Sequence, residues 1–378
     1  MKRIVTLFLG GAIALLLAVN FSCSKKSSSP TASSSGPDSV LINIGNNIIL
    51  PSYTSLGSAV KSLDSAITDF NSSPDASKLT NVQRLFDTAY TDWQAVSEYD
   101  GLAPAANNQP PLSGLDIFPA TDSTIDGDIV RGNYNVNILA NAAAKGFPAL
   151  DYLLFGGGSN TLANYTTDAN AANRKLYLAA VSADIKTEVN TVVAAWSATG
   201  GNYINTFVNG TGNSVSSSLG LLINSLDQDF EILKNDRLGI PLGKQLGGVT
   251  GTILPTEVEA YYSGISAHLA LAQLKATQKI YLGTNAQGGT AGMGLDAYVV
   301  KANAKYNGGS LSDTIKYHFT LAIGYLQATP DPLSMTIQSN PTSANAAYTE
   351  IQKLVVFLKT DMPSSLGVLI TYGDNDGD

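Results

Sequence analysis

The strongest constraint on this chain is the spacing of its apolar residues. Six segments place them three and four positions apart, the period of one helix face. In 76–99 they are Leu79, Val82, Leu85, Phe86, Tyr90, Trp93 and Val96. In 173–196 they are Leu176, Val181, Ile185, Val189, Val192 and Trp196. Segments 216–239, 255–283, 310–329 and 343–362 repeat the pattern. Gly239 and Pro241 stop the third segment; Pro255 opens the fourth and Gly283 closes it, as helices tend to begin and end. Period-two alternation is scarce, with LGVLITY near the C-terminus the best strand candidate. The chain is therefore expected to be all-α.

Gly-, Asn- and Pro-rich pieces punctuate the helices at 101–135, 200–214 and 283–294. About 340 residues beyond the N-terminal region are long for a single domain. The break at 200–214 suggests two helical bundles, 41–205 and 206–378. Residues 1–22 read as a signal peptide: Lys2 and Arg3 precede an uncharged apolar run, Ile4 to Val19, that is short for a membrane span. The run leads to Cys23, the only cysteine. FSC followed by SKKSSSP looks like a lipoprotein cleavage site, with Cys23 as the lipidated N-terminus. Residues 23–40, Ser-rich and interrupted by Pro, are expected to be a flexible tether. The membrane is then a partner through the lipid anchor, and Ser24 suits an outer-membrane address facing the periplasm.

Composition removes several classes of function. With 22 Lys and Arg against 30 Asp and Glu, and no basic cluster outside the tether, nucleic acid is not an expected partner. Two histidines, His268 and His318, rule out a three-His zinc site and an HExxH helix, and one Cys rules out a thiolate cluster. GGGS (156–159) and GGTAGMG (288–294) lack the GK[ST] of a phosphate loop, GISAH (264–268) misses the G-x-S-x-G elbow, and DNDGD (374–378) is too short for a calcium loop. His318 reads as a helix-surface or packed histidine. If 255–283 is one helix, Val258, Tyr261, Tyr262, Ile265 and Leu269 form its apolar stripe. Glu259, Ser263 and Ser266 then form a polar line facing a cleft or water. His268 lies on the flank opposite Glu259, so those two are not expected to share a site.

GFPALDYLLFG (146–156) resembles the G-x-H-x-x-E signature of the imelysin, or M75 peptidase-like, family. GLDIFPATDSTID (114–126) and DWQAVSEYDGLAP (92–104) are similar to further stretches of the family, and DRLGIPLG (236–243), VEAYYSGIS (258–266) and LGVLITYGDNDGD (366–378) to its lipoprotein branch. The resemblance implies two helical bundles with the signature facing a pocket between them, a cell-envelope location, a link to iron uptake, and a peptidase name. Here Pro148 stands in the His place and Asp151 in the Glu place. Pro has no donor atom, so the resemblance no longer implies a metal held by this pair. Pro148 fits a first helical turn, and a helix N-terminus favours the Asp151 charge. Asp151 is either a pocket carboxylate or a structural acid bonded to backbone N–H groups.

The expected function is a lipid-anchored envelope protein binding iron or an iron complex between the bundles. Asp116, Asp151, Glu259, Ser263 and Ser266 would line the site, with Trp93 and Phe118 as walls, and no catalytic residue is assigned. One alternative is an imelysin-type metallopeptidase using Asp151 and a metal-activated water. The other is a structural or partner-docking lipoprotein with a degenerate site.

Overall fold

Apolar residues at helical spacing bury one face of each long helix, and those faces build the core. The computed structural model describes residues 38–102, 112, 114–244, 251–286, 288 and 292–371. The signal peptide, Cys23, most of the tether, parts of the 101–135 and 283–294 loops, and the DNDGD tail lie outside the described residues.

The helices are α1 (Ser39–Asn43), α2 (Leu50–Ser72), α3 (Ala76–Gln94), α4 (Asp122–Arg131), α5 (Gly146–Phe155), α6 (Ala163–Thr166), α7 (Ala171–Trp196), α8 (Tyr203–Asn209), α9 (Ser218–Ile232), α10 (Ser266–Leu282), α11 (Leu295–Lys301), α12 (Leu311–Gln327), α13 (Leu333–Ser339), α14 (Thr342–Val356) and α15 (Met362–Leu366). π-Helical turns join α1 to α2 at Ile44–Ile49, follow α9 at Leu233–Gly239, and join α14 to α15 at Phe357–Asp361. The protein is all-α, as the periodicity predicts. Helices α2, α3, α5 and α7 pack on one another, and α9, α10, α12 and α14 form a second group. The groups meet where α3 packs on α10 and the turn Ser97–Leu102 packs on α9. From Pro37 onward the chain is one compact unit. Among the described residues no helix is long and apolar enough to cross a membrane.

Several elements differ from expectation. The tether ends early: Asp38 Oδ1 accepts the Val40 N–H at 2.9 Å and opens α1 at Ser39. α2 escapes the periodicity, because Gly, Pro and hydroxyl residues dilute its apolar stripe. Its serine and threonine hydroxyls instead donate back to carbonyls one turn earlier, as Thr54, Ser58 and Ser62 do, so they fit a helix. α4 and α8 lie inside stretches whose composition suggests loops. LGVLITY forms no strand in its described part, where Gly367 adopts φ 65° and ends α15. The only strands among the described residues are the hairpin Lys305–Tyr306 and Gly309–Ser310. Its turn is Asn307-Gly308, both at positive φ, the usual chemistry of a two-residue hairpin turn.

The largest correction concerns 255–283. Only Ser266–Leu282 is helical. Ala260 and Gly264 adopt φ of 51° and 73°, which no right-handed helix accommodates. Two distant carboxylates take the backbone N–H groups a helix would use. Asp151 accepts from Tyr262 and Ser263 at 2.8 and 2.9 Å, and Asp331 accepts from Ala267 and His268 at 2.8 and 2.9 Å. The polar line Glu259–Ser263–Ser266 therefore does not exist as one helix face.

Gly146 opens α5 at φ 74°, and a Cβ there would stand 2.4 Å from the Leu115 carbonyl oxygen. Gly158, at φ 53°, has no atom within 4 Å of an added Cβ. Gly146→Ala is expected to cost about 2–4 kcal/mol, and Gly158→Ala only the left-handed strain of about 1–2 kcal/mol. Denaturant unfolding of both variants checks this; equal losses would contradict it.

Candidate functional site

Arg237 stands at the junction of the two helix groups. It lies in the π-helical turn Leu233–Gly239 that follows α9, a departure from regular helix of the kind often found at functional positions. Its Nε donates to Glu259 Oε2 at 2.6 Å, and its Nη2 donates to Asp116 Oδ2 at 2.8 Å. The guanidinium carbon lies 5.7 Å from the centre of the Phe118 ring. Arg237 is 3% exposed and Glu259 1%. A buried guanidinium is tolerated when it is paired and bonded, and α3 completes the arrangement. Tyr90 Oη and Trp93 Nε1 donate to the two Asp116 oxygens at 2.6 and 2.9 Å, and Gln94 Nε2 donates to Glu259 Oε1 at 2.6 Å. Ser266 Oγ donates to the Glu259 carbonyl. Tyr90 stacks on Phe147 of the signature at 4.8 Å and 9°, and the Phe147 N–H bonds the Leu115 carbonyl beside Asp116 at 2.8 Å.

The charges are unevenly matched. Burial works against the Arg237 cation, but Glu259, Asp116 and Asp229 outweigh it and hold its pKa above the usual value. Burial pushes the Glu259 carboxyl up, and Arg237 pulls it back down. Glu98 is fully buried nearby; burial and the neighbouring Asp229 push its carboxyl well above the ordinary range.

Asp151 lines a cavity together with Phe118. Both its oxygens are committed to the Tyr262 and Ser263 N–H groups, and it is 2% exposed. Pro148 sits in the first turn of α5, as its geometry requires. Together they wall a cavity of about 280 Å³ with Phe118, Asp122, Tyr261 and Tyr262. A second cavity, about 200 Å³, lies on the Asp116 side of Arg237 and is lined by Trp93, Asp100 and Asp229. A third, about 380 Å³, lies between α2, α3 and α10; it includes His268 and none of the predicted site residues.

The structure thus brings Asp116, Glu259 and Phe118 to one cation, with Trp93 bonded to Asp116 and Ser266 to the Glu259 backbone, and sets Asp151 at the signature cavity, where it holds the Ser263 N–H. His268 contacts Thr91 Oγ1 at 3.1 Å, apart from Glu259, and His318 pairs with Glu350 at 2.6 Å. Sequence reasoning misses Arg237, Tyr90 and Gln94. The available signal is a charged residue inside the DRLGIPLG stretch, at the end of an apolar helix. The signature does not fit a metal ion: Pro148 has no donor and both Asp151 oxygens are taken. Among the described residues no group of three or more His, Cys, Asp or Glu side chains is placed to hold one.

These features define an all-α protein with a buried ion-pair knot at the junction of two helix groups, one cavity lined by Asp116 and Arg237 and another by the signature residues. The chain belongs to the imelysin family (Peptidase_M75), whose model matches residues 49–359. Two crystal structures share the fold. One is a protein from Parabacteroides distasonis described as an iron-regulated protein A precursor, with TM-score 0.68 and 16% identity over 88% of this chain and 97% of that one. The other is an imelysin-like protein from Psychrobacter arcticum, with TM-score 0.58 and 16% identity over 88% of this chain and 96% of that one. No curated protein matches the chain.

Burial raises the Asp151 pKa from 3.8 to about 6, with bonds from Ser263 and Tyr262 opposing it. The folded state therefore holds this proton more tightly than the unfolded state. The resulting stability is complete below pH 3.8 and is lost as pH rises through about 6. A pKa raised by that much is worth about 3 kcal/mol. Denaturant unfolding at a series of pH values is expected to show a smaller loss in Asp151→Asn than in the wild type across that window. Parallel curves would contradict it.

Proposed function

We propose that this chain is a lipid-anchored protein of the bacterial cell envelope that binds iron, as an ion or a complex, as its cargo. The ligand sits in the cavity of about 280 Å³ walled by the signature. The observation that carries this reading is the convergence of the signature residues Pro148 and Asp151, the Phe118 wall and the 258–262 loop on one cavity at the junction. The iron-regulated name of the Parabacteroides protein, which shares the fold, supports iron as the cargo. The Cys23 context supports the anchor.

Binding is preferred to peptide hydrolysis on the donor chemistry of the signature. A metal-activated water needs about three protein ligands and an open position. Asp151 spends both oxygens on backbone N–H groups, and Asp116 and Glu259 spend theirs on Arg237 and α3.

Calorimetric titration of residues 37–378, the compact unit, with ferric nitrilotriacetate tests the reading. Thr256 is exposed at the edge of this cavity, so Thr256→Trp occludes it without entering the core. Wild-type binding that Thr256→Trp weakens is the expected result. Undiminished binding in the variant would remove the cargo from this cavity, and no binding by the wild type would overturn the reading.

A further inference from the structure

The cavity of about 380 Å³ between α2, α3 and α10 shares no residue with the signature cavity and takes no part in the knot. Its volume suits a small organic molecule. The α10 wall is one helix face, from His268 through Leu271, Ala272, Lys275 and Ala276 to Lys279, and runs about 16 Å. Protein interiors ordinarily fill such space. Here alanines on both facing helices, Ala95 on α3 with Ala272 and Ala276 on α10, leave it open.

Two polar side chains of this lining are left over. Ser52 is 7% exposed, and its hydroxyl has no partner among the described residues. Other hydroxyls of α2 do have one: Thr54, Ser58 and Ser62 bond their own backbone, and Ser55 Oγ donates to Asp92 Oδ2 at 2.8 Å. A buried hydroxyl without a bond is costly, and Ser52 lines the cavity. Lys275 makes no hydrogen bond or ion pair with a described residue, although it too lines the cavity. Lys279, one turn on, is occupied, since its Nζ donates to the Ala286 carbonyl at 3.3 Å. The Ala286 N–H bonds the Asn47 carbonyl at 3.1 Å, which ties the end of α10 to the approach to α2. Ser52 therefore stands toward the lysine end of the cavity. His268 marks the other end, where it meets Thr91.

We propose that this cavity binds an amphipathic monocarboxylate, the chemistry of a medium-chain fatty acid. The carboxylate accepts from the Lys275 ammonium and the Ser52 hydroxyl. The hydrocarbon body lies along Ala276, Ala272, Leu271 and Ala95 toward His268. Charge selects a single anion, because Lys275 and Lys279 against Asp92 leave one positive charge in the lining. A compact inorganic anion would leave the apolar wall unfilled, and a cation would meet two lysines. No bond is made or broken on binding. This site goes beyond the iron reading and does not depend on it.

The test is calorimetric titration of residues 37–378 with sodium octanoate, beside sodium hexanoate and 1-octanol. Octanoate is expected to bind one per chain. Each buried methylene is worth about fourfold in affinity, so hexanoate is expected to bind roughly tenfold more weakly. 1-Octanol keeps the body and lacks the charge; it is expected to bind about tenfold more weakly, the worth of a hydrogen bond to a charged group. Lys275→Met is expected to weaken octanoate by about the same factor, and Ser52→Ala by about fivefold. Ala272 is half-buried, and Ala272→Phe is expected to fill the cavity and abolish binding; the Lys275 and Ser52 variants carry the test if that change disturbs the fold. No octanoate binding, equal affinity for 1-octanol, or affinity unchanged in Lys275→Met and Ser52→Ala overturns the site. Ferric nitrilotriacetate binding is expected to be the same with and without octanoate, so this reading and the iron reading fail separately.

Discussion

The buried Arg237 guanidinium organises this structure. It stands between Asp116 and Glu259 with almost no solvent contact. In that setting a lone charge is costly, and removing one partner of a buried pair costs more than exposed pairs ever contribute. Each component comes from a different part of the chain. Asp116 follows an irregular segment, Glu259 precedes α10, Arg237 rides a π-helical turn, and α3 supplies Tyr90, Trp93 and Gln94. The knot can form only when the two helix groups are correctly docked. Two of its members, Asp116 and Arg237, also line the cavity beside Asp229.

The second organising contact is the carboxylate inside the apolar signature helix. Asp151 spends both its oxygens on the backbone. It accepts two successive backbone N–H groups from a segment that would otherwise continue α10 toward its N-terminus. Asp331 accepts the Ala267 and His268 N–H groups in the first turn of α10. Two acids therefore shape one loop, and that loop carries Glu259 into the knot and Tyr262 to the cavity wall. The charge in GFPALDYLLFG is thereby explained by backbone geometry, and its raised pKa by burial.

Much of this is legible in the sequence, for identifiable reasons. Helix periodicity locates α3, α7, α9, α12 and α14 because their buried faces are strongly apolar. The family resemblance brings Asp116, Glu259, Trp93 and Phe118 forward, and these do meet. What cannot be read is tertiary override. Residues 255–265 have helical spacing, yet a carboxylate distant in sequence, Asp151, claims the Tyr262 and Ser263 N–H groups. Arg237 looks like one basic residue among 22, because nothing local marks a cation as buried. α2 is hidden by hydroxyl residues whose helix-compatible bonds to their own backbone emerge only in three dimensions.

The most direct test of this account is a double-mutant cycle on Arg237→Met and Glu259→Leu, measured by denaturant unfolding of residues 37–378. Each single change strands a buried charge or its partners and is expected to cost about 3–5 kcal/mol. The double variant is expected to lose clearly less than the two together, giving a coupling energy of about 2–3 kcal/mol. Additive losses would show that Arg237 and Glu259 act independently and would contradict a knot that holds the helix groups together.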